Sequence, residues 1–274
     1  MTISIGLTKN LINIAAITLL LGFAHPSVAQ QVITDDDKIP AIEKTKSSVQ
    51  PLIKPFTATY SVLHKSKKVG NGIRKLTYLT DGTIQYSYET DISWLIFSDT
   101  RKETSTVKLK NNTVIPLHYE YTREGTGRDK HYVWEFDASN NTATDLKNDR
   151  TVKVDFSQPL QDTLSYHLQH RIKMIEHPEQ RQFVYPVIKT SGKIKNYVYQ
   201  YDGEEELMLP YGLIKTIRLK REIIEKKRVT YAWFAPELNY LLVKLYQIKS
   251  GAEQFEAQLT GLVIHDEPST NSPK

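Results

Sequence analysis

Leu76-Thr77-Tyr78-Leu79-Thr80-Asp81-Gly82-Thr83-Ile84-Gln85-Tyr86-Ser87-Tyr88 sets the architecture. Two alternating runs flank Asp81-Gly82, and a period of two marks a strand with one buried face. Asp-Gly between such runs signals a two-residue hairpin, because both central positions need the positive φ that Gly and Asp tolerate. The same pattern continues in both directions. Upstream, Phe56-Thr57-Ala58-Thr59-Tyr60-Ser61-Val62 alternates in the same way. Downstream, Asn111-Asn112 punctuates a hairpin between residues 106–110 and 114–121, and Asp202-Gly203 another between 196–201 and 206–209. Two further strand pairs close the pattern, 213–223 with 228–234 and 241–248 with 254–262. Frequent turns between short strands predict a mainly β fold, a large curved antiparallel sheet or half-open β-barrel.

One segment departs from period two. Leu164, Leu168, Ile172 and Ile175 recur at helical spacing behind Asp162, a side chain suited to an N-cap. Pro178 disfavours an α conformation at His177, so the spacing predicts one amphipathic helix over about 162–177. Gln169, Arg171 and Lys173 fall mostly off the apolar stripe, so the helix is expected to pack on the sheet.

The chain has 274 residues, a net charge of +5 and no cysteine. Disulfides, thiolate metal sites and cysteine nucleophiles are thereby excluded, and stability must come from the hydrophobic core. The mild positive balance suits weak attraction to anionic lipid or polysaccharide and gives no nucleic-acid signature. Lys9, the apolar run from Leu11 to Ala24, Pro26 and Ser27-Val28-Ala29 follow the order of a secretory signal peptide cut after Ala29. The run is shorter than the roughly 20 residues that span a bilayer, and no later run reaches that length. The expected organisation is a signal peptide (1–29), a flexible segment (30–54), a single β-rich domain (55–263) and a disordered tail (264–274). The expected location is the periplasm, with no transmembrane segment in the mature chain.

Catalytic signatures are thin. His167 and His170 stand three residues apart on the predicted helix, but Leu168-Gln169 between them lacks the glutamate of a zincin, and surface histidines are the simpler reading. No nucleophile elbow, Ser-x-x-Lys motif or phosphate loop is present. Glu204-Glu205-Glu206 reads as a solvated hairpin tip. The basic run over residues 218–228 reads as an outward strand face, which keeps sheet edges soluble. No cofactor or metal is expected.

The aromatic residues point elsewhere. The chain has 16 tyrosines against 8 phenylalanines. Tyr86 and Tyr88 share a strand face, as do Tyr119 and Tyr121, Trp134 and Phe136, and Tyr197 and Tyr199. A dry core favours Phe, because a buried hydroxyl needs a partner, whereas a concave and partly wet face accommodates Tyr. These eight residues are the candidate lining of a groove for a lipid-like or glycan ligand.

Phe56-x-Ala58-x-Tyr60, Gln161-Asp162-x-Leu164-Ser165, Pro210-Tyr211-Gly212-Leu213-Ile214-Lys215-Thr216, Trp233 and Leu241-Leu242-Val243-Lys244-Leu245 together resemble the exported bacterial proteins of domain-of-unknown-function family 3108. The resemblance covers residues 55–262. It implies a β-rich periplasmic protein of Gram-negative bacteria, similar in shape to the half-open barrels of the Lol lipoprotein carriers, with no catalytic residues to carry over. The expected function is non-enzymatic binding or carriage of an amphipathic envelope ligand. The alternatives are an envelope assembly factor docking a protein partner through the basic hairpin, and a cell-wall or polysaccharide hydrolase.

Overall fold

The computed structural model describes residues 52–94 and 96–266. The expected signal peptide lies outside the described residues, as do most of the N-terminal segment and the tail. The first eight strands are β1 (Phe56–His64), β2 (Lys67–Tyr78), β3 (Ile84–Trp94), β4 (Phe97–Lys110), β5 (Thr113–Gly125), β6 (Lys130–Asp137), β7 (Thr142–Asp145) and β8 (Arg150–Lys153). Helix α1 (Ser165–Glu176) follows. The chain then runs through β9 (Gln182–Ile188), β10 (Ile194–Leu209), β11 (Gly212–Ile223), β12 (Arg228–Ala235), β13 (Leu241–Lys249) and β14 (Ala252–Ile264).

All 14 strands form one antiparallel sheet, in the order β8-β7-β6-β5-β4-β3-β2-β1-β14-β13-β12-β11-β10-β9. Two meanders are therefore fused where β1 pairs with β14, from Phe56 opposite Ile264 to Leu63 opposite Glu256. The outer strands curl toward each other. Arg150 on β8 donates to the Ser191 carbonyl between β9 and β10 at 3.2 Å. Gln161 makes a parallel bridge to Val187 on β9, while its amide donates to the Val114 carbonyl of β5 at 2.8 Å. The sheet is a half-open barrel with its seam bridged by the segment before α1.

Helix α1 begins at Ser165, later than expected and with Leu164 rather than Asp162 at its N-cap, and it lies inside the curl. Asp162 accepts from the Leu164 and Ser165 amides at 2.7 and 2.6 Å, and the Ser165 hydroxyl accepts from the Asp162 amide at 2.9 Å. These reciprocal bonds fix the turn that leads into the helix. Two of the polar side chains off its apolar stripe, Gln169 and Arg171, are buried too, while Lys173 stays partly exposed. Gln169 binds Val114 N–H and the Asn112 carbonyl, and Arg171 donates to the Leu238 and Asn239 carbonyls. The helix is enclosed by the sheet because its polar residues complete the hydrogen bonds of the surrounding turns.

Three local expectations are corrected. The turn after β2 is a three-residue loop: Gly82 alone has positive φ, and Asp81 instead turns its carboxylate to the Thr83 amide and hydroxyl. Asp202-Gly203 is not a hairpin. Residues 194–209 form one strand with a bulge between Tyr201 and Gly203: Gln200 and Tyr201 before the bulge and Gly203–Leu209 after it pair with the same neighbour, β11, while residues 194–200 also pair with β9. The actual reversal is Pro210-Tyr211, with Gly212 at φ 139°. Glu204-Glu205-Glu206 therefore sits on a strand, where Glu205 accepts from the Trp233 indole at 2.6 Å. Asn111-Asn112 forms the expected tight turn, both residues having positive φ.

Candidate functional site

The register explains how alternating aromatics divide between core and cavity. Strand pairing aligns Phe56, Leu76, Tyr86, Ser105, Tyr119 and Trp134 in one cross-strand row. The next row aligns Ala58, Arg74, Tyr88, Glu103 and Tyr121. The first row is packed solid: Tyr86, Tyr119 and Trp134 are all buried in the main core with Phe136. The second borders a cavity of 180 Å³ between the concave face of the sheet and the first turn of α1. A third row, Arg221, Thr230, Gln247 and Phe255, lines the cavity from the other meander.

Of the eight aromatics expected to line a groove, Tyr88 and Tyr199 border this cavity. Tyr86, Tyr119, Trp134 and Phe136 belong to the core behind it, and Tyr121 is half-buried against that core. Tyr197 is buried beside Tyr199 and also borders an open basic cleft of 680 Å³. The cavity adds residues that periodicity did not single out: Tyr60, Arg74, Glu103, Tyr166 and Arg221, with an apolar side formed by Leu164, Leu242, Leu245, Phe255 and Ala257. Arg74 shares strand parity with buried Leu76, and Arg221 with buried Leu219. A charge two residues from an inward leucine was the available signal.

Four tyrosine hydroxyls at or behind the cavity find internal partners. Tyr60 donates to the Leu242 carbonyl at 2.8 Å, Tyr119 to Glu103 at 3.1 Å, and Tyr166 and Tyr199 share a 3.2 Å contact. Arg74 donates to Tyr86 Oη at 3.1 Å and lies 5.6 and 5.2 Å from the Tyr86 and Tyr88 ring centres. Its Nε has no partner. Leaving a buried donor unsatisfied costs about 1–3 kcal/mol, more for a charged group. Burial is the main cause that raises the Glu103 carboxyl to about 7, opposed by the Tyr119 hydrogen bond and aided by Asp162.

Of the two histidines of the helix, His170 is buried and His167 half-buried. His170 is 1% exposed, ringed by Phe183, Tyr185, Tyr199 and Phe234, and its Nδ1 lies 2.9 Å from Tyr185 Oη. Burial lowers it to about 3, so the imidazole is neutral. His167 faces the cavity, and burial with the charges of Arg74, His170 and Arg221 holds it well below its usual value. Among the described residues no three His, Cys, Asp or Glu side chains group as metal ligands. The basic run is likewise not wholly outward. Arg218 binds Asp202 and Glu205, while Arg221 lies 3.4 Å over the Tyr197 ring and reaches the cavity. No helix among the described residues is long and apolar enough to cross a membrane.

No curated protein matches the sequence. The β-barrel-like protein of domain of unknown function DUF1849 from Brucella abortus superposes with a TM-score of 0.50 at 7% identity, over 78% of this chain and 99% of that one. That likeness shows a shared fold and nothing further. MucB in the MucA/MucB complex of Pseudomonas aeruginosa aligns at 9% identity and a TM-score of 0.30, over 80% of this chain and 54% of that one, too loosely to carry an argument. A family match, "Protein of unknown function (DUF3108)", runs over residues 59–258, from β1 into β14 and across every element that builds the cavity. The sequence landmarks and this match agree, and the chain belongs to the DUF3108 family.

Proposed function

We propose that this protein is a non-enzymatic binding or carrier protein for an amphipathic envelope ligand, working in the periplasm after removal of residues 1–29. One observation carries the reading: the half-open barrel keeps a cavity of 180 Å³ with one apolar and one polar side. The apolar side is Leu242, Leu245, Phe255 and Ala257; the polar side is Tyr60, Arg74, Tyr88 and Glu103. Ligand pockets are commonly apolar with a few convergent polar groups, but usually about 300–1,000 Å³. The smaller volume suits a single acyl chain or one sugar ring. The polar groups of the cavity lie on four adjacent strands and serve to orient a ligand.

Ala257 is the position to test. It pairs across the sheet with Leu245 and Val62 and borders the cavity with its small side chain. Native mass spectrometry of protein purified from the envelope of expressing cells should find a co-purifying ligand in the wild type. Ala257→Trp should lose it while remaining folded. A ligand-free wild type whose melting temperature no envelope lipid or glycan raises would sink this reading.

A further inference from the structure

The charge of the cavity is unbalanced. Arg101, Arg123, Arg150 and Arg218 each pair with a carboxylate. Arg74 and Arg221, which both border the cavity, form no ion pair among the described residues. Arg74 is 6% exposed and keeps an unpartnered Nε. Its guanidinium is held in place by the Tyr86 hydroxyl and the Tyr86 and Tyr88 rings, so it cannot swing out to solvent without losing those contacts. One carboxylate, Glu103, shares the cavity with these two permanent cations, and it accepts from Tyr119. At least one positive charge is uncompensated even when Glu103 is ionised.

Arg221 borders two spaces at once. It lines the interior cavity and also the 680 Å³ cleft outside it. That cleft carries Lys189, Lys193, Lys195, Lys226 and Arg228 against Glu222 and Glu225. A cleft dominated by one sign of charge draws oppositely charged ligands inward. Beside Arg221, Thr230 and Gln247 add a hydroxyl and an amide, joined by a 3.2 Å hydrogen bond. Guanidinium groups match the paired oxygens of carboxylate and phosphate.

Resting on the cavity as the ligand site, we infer that it holds the anionic end of its ligand, a carboxylate or phosphate monoester, between Arg74 and Arg221, and that the basic cleft beyond Arg221 is its entrance. The chain of the ligand then lies along Leu242, Leu245 and Ala257. Arg74 is retained at a cost to stability, since an uncompensated buried charge is destabilising and its apolar replacement often is not.

Isothermal titration of the full mature chain with decanoate, decyl phosphate, decanol and inorganic phosphate tests this. Decanoate or decyl phosphate should bind at least 10-fold tighter than decanol. Arg74→Met and Arg221→Gln should each erase that preference while leaving decanol affinity within 2-fold. Arg74→Met should melt no lower than the wild type, which separates lost binding from lost fold. Reversing Lys193, Lys195 and Lys226 to Glu should slow decyl phosphate association at least 5-fold and leave decanol unaffected. Equal binding of decanol, or arginine variants that keep the preference, would overturn the inference and leave the cavity reading standing. Inorganic phosphate binding alone, dependent on both arginines, would keep the anion site and remove the amphipathic ligand. Binding of none of the four would remove both.

Discussion

Glu103 stands two positions from buried Ser105 on the concave face of β4, and burial raises its carboxyl to about 7. An unfolded glutamate titrates near 4.3, so the native state favours the protonated form. The stability this contributes is complete below the unfolded value and is lost as pH rises through about 7. His170 acts in the opposite direction. Its native value of about 3 lies below the unfolded value, so its contribution is present above about 6.5 and is lost as pH falls. Between these limits the two oppose each other, so a wild-type profile alone cannot separate them. Glu103→Gln can. Its melting temperature relative to wild type should be unchanged near pH 4.5 and rise toward pH 8, by up to about 3 kcal/mol of stability. Equal offsets at both pH values would show that Glu103 ionises freely. Strand parity with buried neighbours was an available signal for Glu103, Arg74 and Arg221 that the outward reading of the basic run overlooked, and only the register shows that they meet at one cavity.

At the scale of elements, the entry to α1 concentrates hydrogen bonds on one carboxylate. Asp162 accepts from two amides and from the Ser105 hydroxyl of β4 at 2.5 Å. Asp162→Ala removes this acceptor and strands buried donors, so it should cost about 2–4 kcal/mol. Asp162→Asn retains an accepting oxygen and should cost less than half as much; chemical denaturation of both variants checks the ranking. That Asp162 stands at the entry to the helix was legible from residue type and apolar spacing, but not that Leu164 takes the N-cap position. The bulge in β10 was not. Asp-Gly has the same local preference in a turn and in a bulge, since either accommodates Gly203 at φ 127°. What distinguishes them is that Glu205 and Glu206 pair with Thr216 and Lys215 rather than with residues 196–201.

For the molecule as a whole, the decisive contact is the pairing of β1 with β14, which joins residues about two hundred positions apart. Every other strand pair is made with a chain neighbour, so closing this one carries the largest loop entropy. Strands at the centre of the sheet have partners on both sides, whereas β8 and β9 each have one. Native-state hydrogen exchange should therefore find the slowest amides in β1, β2, β13 and β14 and faster ones in β8. Slowest exchange at β8 would contradict this order. Gln161 should show intermediate protection, since its backbone bridges to β9 and its side chain to β5.

Local pattern was enough for the class of fold, the hairpins β2–β3, β4–β5, β11–β12 and β13–β14, the helix, and the abundance of tyrosine on inward faces. These follow from period, φ preference and side-chain hydrogen bonding, all of which act within a few residues. The division of those tyrosines between core and cavity was beyond it. Tyr86 and Tyr88 share strand parity and chemistry, yet Tyr86 is buried in the main core while Tyr88, half-buried against it, borders the cavity. That outcome depends on how far the sheet curls and where α1 enters, set by contacts such as Arg150 with Ser191 and Gln161 with Val114. Cavities are spaces between distant segments, and no segment encodes one alone.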